Sequence, residues 1–367
     1  MSAIDSALAT AGSLLRTTLS EPTDLGGGFR CTVLRCRTGA GGTVVVKIFD
    51  DRPDALACFT AEAAGLQLVG HGPEMLAADL ATPLLVLSDL GSAPSLADLL
   101  LGGSAAEARA GLLAWATAYG RLATAAVGRQ SELAALRARY DRGVPAWDDG
   151  DFLGEWITGL PPVLDRLGVT APAGLAAALA TLRSVRDPER FPVFSPGDIC
   201  PDNNLITPDG MRLLDFEGAG YRSVFLDAAY ITMPFASCWC VFRLPSRLMA
   251  ELESTYRGHV VACHPHLADD DLWHAGVRHA MAAWTLGVSA NLGWSAATAD
   301  KPMHPRRKPV PTRRQLLRHR WSTLAGTLEA AGELLAVAEL ARRLLAATTS
   351  WHVEPLPTYP AFDPESG

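Results

Sequence analysis

The feature that most constrains this 367-residue chain is a change of texture at Gly91. Upstream, FRCTVLRCR (29–37) alternates and is rich in β-branched residues, and GGTVVVKIF (41–49) is almost continuous Val and Ile. The intervening TGAGG makes the pair a hairpin. DALACFTAEAAGLQLVG (54–70) spaces Ala, Leu and Phe at three and four residues, which predicts a helix stopped by Gly70. ATPLLVLSDLG (81–91) predicts another apolar strand, and residues 2–20 read as a helix or a lead-in. Downstream the chain is strongly helical from SLADLLLGG, with Ser95 and Asp98 placed to cap the first helix. Only a strand pair around FPVFSPGD and GMRLLDFEG interrupts the helices. An α+β fold of two lobes follows: a small antiparallel-sheet lobe over 1–90, a larger mainly helical lobe over 91–350, and a tail over 351–367.

Bulk properties remove several classes of function. Hydrophobic residues make up 49% of the chain, which excludes a disordered segment. A net charge of −7 gives no support to binding nucleic acid or an anionic membrane surface. No apolar run reaches the roughly 18–20 residues that cross a bilayer, and the N-terminal segment lacks the basic leader and apolar centre of a signal peptide. Seven cysteines without a CxxC predict neither a disulfide framework nor a zinc site, and fit a reduced cytoplasm. KPMHPRRKPVPTRRQLLRHR (301–320) carries eight Lys/Arg and no acid; it reads as a solvated loop leading into a helix.

Chemistry concentrates in SPGDICPDNNL (195–205) and LLDFEG (213–218). Asp198 and Asn203 form D-x-x-x-x-N, and Asp215 follows an apolar strand. Phosphoryl transfer needs a carboxylate at the acceptor hydroxyl and divalent metal on the phosphates. Mg²⁺ takes oxygen ligands, which a carboxylate and an amide carbonyl from neighbouring loops supply. Lys47 is a lone charge in the apolar strand TVVVKIF, and Glu62 in the following helix is its natural partner.

This order resembles the aminoglycoside-phosphotransferase and choline-kinase type of small-molecule kinase, which has the two-lobed protein-kinase-like fold. PGDICPDN (196–203) matches that family's catalytic loop, LLDFEGAG (213–220) its metal-binding segment, and Asp227 its later buttressing aspartate. The resemblance implies ATP or GTP as co-substrate, Mg²⁺, and a small-molecule hydroxyl acceptor such as an antibiotic, an amino alcohol or a sugar. It makes Asp198 the base that orients the acceptor hydroxyl and gives Asn203 and Asp215 the metal. Lys47 would grip the α/β-phosphates with Glu62 steadying it, and the LGGGFRC turn, with Gly27 and Gly28, would cover them. The Ser88 carbonyl and Leu90 N–H would bond the adenine edge. Two positions depart from the family pattern: its histidine before Gly-Asp is Pro196, and its usual histidine two after the Asp is Cys200. Glu217 could approach the metals as an extra carboxylate, but a surface role is the expectation. A cytoplasmic monomer or homodimer is expected, with a nucleotide-binding pseudokinase as the alternative. A protein kinase is disfavoured, because the chain after DF leaves no room for a long activation segment before Asp227.

The acceptor is expected among helical insertions at roughly 140–165 and 235–300, where Trp147, Trp156, Trp239, Trp273, Trp284 and Trp294 lie. Core packing is the simpler role for most of them. ADDD (268–271) reads as a helix cap, histidines 264, 266, 274 and 279 form no metal pattern, and WHVEPLPTYPAF (351–362) reads as a structural clasp.

Overall fold

The computed structural model describes residues 3–145, 151–235, 237–305 and 307–363. Trp147 lies outside the described residues. Helix α1 (Ala3–Leu15) precedes β1 (Leu19–Asp24), β2 (Cys31–Thr38) and β3 (Thr43–Phe49); α2 (Pro53–Leu68) leads to β4 (Met75–Asp79) and β5 (Leu84–Ser88). The strands form one antiparallel sheet in the order β1-β2-β3-β5-β4.

The two-residue period of β3 decides where its lysine goes. Val44 and Val46 join Leu8 and Ala11 of α1 in one cluster. Phe49 turns to the other face and meets Phe59 of α2 edge-on, ring centroids 5.6 Å apart. Lys47 shares that second face and is only 6% exposed. The pleat therefore aims it at α2, away from solvent.

The helical lobe runs through α3 (Leu96–Gly102), α4 (Ala105–Ala125), α5 (Gln130–Tyr140), α6 (Phe152–Thr158), α7 (Leu160–Leu167), α8 (Leu175–Thr181) and α9 (Arg183–Arg186). Four short strands follow: β6 (Pro192–Ser195), β7 (Asn204–Thr207), β8 (Gly210–Leu213) and β9 (Gly220–Ser223). Then come α10 (Val224–Thr232), α11 (Ser246–Cys263), α12 (Asp270–Thr298), α13 (Arg313–Ala331) and α14 (Leu335–Ala347). Ser95 and Ser104 start α3 and α4 with full capping boxes, closed by Asp98 and Glu107. Asp269 caps α12 through the Leu272 N–H, as the ADDD stretch suggested. Trp273 and Trp284 of α12 are buried, and their indole N–H groups reach the Glu253 carboxylate and the Leu226 carbonyl. They are core residues.

The structure corrects three expectations. The sheet has two strands beyond the hairpin and β5. β1 is a largely exposed edge strand, LSEPTD, and β4 is MLAAD; neither has the apolar alternation that marks a strand. The segments FPVF and GMRL are strands but not partners: β6 pairs β9, and β7 pairs β8. Cys200 and Cys238 form a disulfide, Cα atoms 5.7 Å apart, whereas no disulfide was expected. They are 38 residues apart, and only the packing of the segment after α10 against the loop after β6 brings them together.

Candidate functional site

The site lies where the sheet lobe meets the β6–β9 loops. Lys47 Nζ donates to Glu62 Oε2 at 2.6 Å and to Asp215 Oδ1 at 2.7 Å. Burial disfavours the ammonium charge, but Asp215 and Glu62 outweigh it and hold the group well above its usual range. One ammonium cannot neutralise two carboxylates. The deficit falls on Glu62, which burial, opposed by Lys47 and reinforced by Asp215, pushes up to about 7.

Asp215 and Asn203 are neighbours because β7 and β8 are a hairpin. Asn204 pairs with Leu213, and the Leu214 N–H donates to the Asn203 carbonyl at 2.8 Å. Asp215 itself sits at φ +59°, a left-handed conformation that non-glycine residues rarely hold. Such backbone strain, of about 1–3 kcal/mol, collects at functional sites. Asn203 spends its amide N–H on the Asp198 carbonyl at 3.3 Å, which leaves its Oδ1 to accept or ligate. A carboxylate and an amide oxygen are hard donors, so this pair fits Mg²⁺.

Asp198 follows Gly197 on the turn out of β6 and accepts from the Cys200 N–H at 3.1 Å. Burial, with the charges of Asp215 and Asp202 nearby, pushes its carboxyl up to about 7. Helix α4 holds the loop from behind: the Trp115 indole donates to the Ile199 carbonyl, and the Tyr119 hydroxyl to Asn204 Oδ1. The Cys200–Cys238 bridge ties the same loop to the segment after α10. In that segment the Trp239 indole donates to Asp202 at 2.6 Å, and Arg307 stacks 4.9 Å above its ring. The basic stretch thus reaches the 196–203 loop only through Trp239, before it enters α13.

Above the cleft, the glycine-rich turn joins β1 to β2. Gly27 has no room for a side chain, since a Cβ there would lie 2.0 Å from the Cys31 carbonyl oxygen, whereas Gly28 faces open space. Arg30, where this turn enters β2, crosses to Glu217 at 2.7 Å. Glu217 is therefore a cleft residue, not a surface one, and burial raises its pKa. Arg30 was not foreseen, because nothing in a motif marks it. Ser88 closes β5 with its N–H and hydroxyl turned to Glu74. No hydrogen bond reaches the Leu90 N–H among the described residues.

The structure thus brings Lys47, Glu62, Asp215, Asn203 and Asp198 together, with the turn carrying Gly27 and Gly28 linked to them through Arg30 and Glu217, while Ser88 and Leu90 lie at and after the end of β5. The four histidines do not converge: His264 meets the Pro192 carbonyl, while His274 and His279 face Glu253 and Glu333. A cavity of about 720 Å³ between α7 and α8 is lined mostly by apolar residues such as Ile157 and Leu164 and gathers no such groups.

Comparisons with known proteins agree with this fold. A choline/ethanolamine kinase family protein from Mesorhizobium loti superposes with a TM-score of 0.52 at 19% identity, covering 92% of this chain and 99% of its own. Choline kinase LicA from Streptococcus pneumoniae gives 0.50 at 14%, covering 90% and 100%. An aminoglycoside phosphotransferase solved with GDP and kanamycin gives 0.52 at 13%, covering 89% and 98%. At these identities the likeness is one of fold: the two-lobed kinase-like architecture. No curated protein matches the chain. The model of the phosphotransferase enzyme family, APH, matches residues 22–257, from the glycine-rich turn through the catalytic and metal loops into α11. With most of the chain inside that match and its cleft assembled as described, the protein belongs to the phosphotransferase enzyme family.

Proposed function

We propose that the protein transfers the γ-phosphoryl group of ATP or GTP to a hydroxyl of a small molecule. The observation that carries this reading is the convergence on Lys47 of Glu62 and Asp215, from α2 and the metal loop, beside the raised carboxyl of Asp198. Lys47 would move from Asp215 to the α/β-phosphates while Glu62 holds its stem in place. Asn203 and Asp215 would hold Mg²⁺, which supplies charge neutralisation on the phosphates when bound. The Ser88 carbonyl and Leu90 N–H would take the base edge, and the turn carrying Gly27 and Gly28 would close over the phosphates.

Asp198 orients the acceptor hydroxyl and takes its proton as the acceptor oxygen bonds to the γ-phosphorus. The bond from that phosphorus to the β–γ bridging oxygen breaks, and the nucleoside diphosphate leaves. A carboxyl whose pKa is raised to about 7 is matched to this exchange near neutral pH. Among the described residues no helix is long and apolar enough to cross a membrane. The reaction would run in the cytoplasm, where nucleoside triphosphates are abundant.

The test is Mg²⁺-dependent NTP consumption by the purified chain against aminoglycosides, macrolides, nucleosides, amino alcohols and hexosamines, with Asp198→Asn in parallel. Acceptor-dependent turnover lost in the variant supports the reading. Acceptor-dependent turnover that survives in the variant overturns the role given to Asp198.

A further inference from the structure

We propose that Arg222, on β9, is the positioning residue that fixes the catalytic loop against the metal loop. The proposal rests on the reading of Asp198 and Asp215 given above. Arg222 is 7% exposed, and its two terminal nitrogens part company. Nη1 donates to the Gly197 carbonyl at 3.2 Å and Nη2 to the Gly218 carbonyl at 3.1 Å. Gly197 immediately precedes Asp198, and Gly218 lies three residues after Asp215. A planar guanidinium holds two acceptors at one spacing, which a flexible ammonium cannot do.

The two loops are in backbone contact where Arg222 grips them. Gly218 N–H donates to the Pro196 carbonyl at 3.1 Å. Gly197 sits at φ +98°, and a Cβ on it would fall 2.5 Å from Gly218 Cα. Pro196 has no N–H and no polar side chain, so its carbonyl is all it offers to this tie. Arg222 reaches in from outside, 5.7 Å from the Phe152 ring centroid. Its counter-charge is the buried Asp227, itself bonded by the Ser195 hydroxyl on β6. Asp227 thus balances the charge of Arg222, which bonds the carbonyls of Gly197, beside Asp198, and of Gly218. Arg222 bonds only backbone carbonyls, so it acts through Asp198 and Asp215 and touches no reacting atom.

The experiment compares Arg222→Lys, which keeps the charge opposite Asp227 but loses the fork, with the charge-balanced pair Arg222→Met/Asp227→Asn, in case the lysine variant does not fold. Two readouts are taken: steady-state kinetics, and hydrogen exchange of the 196–200 and 216–219 segments. The expected result is a fall in kcat of about 10²-fold, the size of a one-ångström misplacement. KM for nucleotide should stay within about threefold, because the phosphate and base contacts are untouched. Exchange should speed up in the two segments and nowhere else. Wild-type kcat in a folded variant overturns the proposal, as does unchanged exchange in both segments. Exchange is read without turnover, so if the wild-type chain shows no phosphotransfer the proposed function fails while the brace is still decided.

Discussion

Asp198 is the residue at which folding and chemistry conflict. Its carboxyl is pushed up to about 7 by burial and by the neighbouring Asp215 and Asp202. Between the usual carboxylate range and about 7, the folded chain therefore holds a proton that the unfolded chain has released. The stability contributed by that protonated form is complete at acid pH and is lost as pH rises through about 7. Asp198→Asn removes the conflict. Thermal unfolding of the metal-free protein should show the variant more stable than wild type at pH 8, with the gain shrinking toward pH 4. The same variant should lose about 10²–10⁴-fold in kcat, the range for removing a general base. A variant less stable than wild type at pH 8 would contradict the strained environment described for Asp198. Asp198, Asn203, Asp215 and Lys47 were legible because a strand lysine and two loops at fixed spacing are a local pattern. Arg30 and Arg222 were not, since each acts on a partner or carbonyl that only the tertiary fold brings near.

Among the elements, α2 couples the sheet to the metal loop. Its sequence reads as a helix from Ala, Leu and Phe spacing, yet almost every side chain is buried, because the helix meets both the sheet and α5. The contact with the metal loop runs through Gly65: a Cβ there would stand 2.5 Å from Ala219 Cβ and 3.2 Å from the Phe216 ring. Gly65→Ala should therefore cost about 1–3 kcal/mol by overpacking and, by moving the helix that carries Glu62, lower activity as well. Urea unfolding that finds the variant as stable as wild type would show that the packing is looser than described. Other elements were illegible for physical reasons. β1 has a proline and mostly exposed polar side chains, and only its pairing with β2 makes it a strand. Pairing β6 with β9 depends on contact across 25 or more residues, which alternation within a strand cannot reveal.

Across the whole molecule, the tail closes over the helical lobe beside the catalytic segment. Tyr359 is fully buried, its hydroxyl donates to the Cys240 carbonyl, and its backbone pairs with Arg243. The clasp expected from the closing prolines and aromatics is present, and it grips the stretch that carries Cys238 and Trp239. Tyr359→Ala should destabilise the protein by about 3–5 kcal/mol, as expected for a buried aromatic. Tyr359→Phe should cost only about 1 kcal/mol for the lost hydrogen bond. Equal stability of all three proteins in chemical denaturation would show that the tail is an appendage. The central claim, that the cleft between the lobes is a metal-assisted nucleotide site, is tested most directly by calorimetric titration of ATP and GTP with and without Mg²⁺. Wild type and Asp215→Asn should be compared. Mg²⁺ should tighten nucleotide binding by about tenfold or more in the wild type and not in the variant. Absence of nucleotide binding by the wild type, or an equal response to Mg²⁺ in both proteins, would contradict that claim.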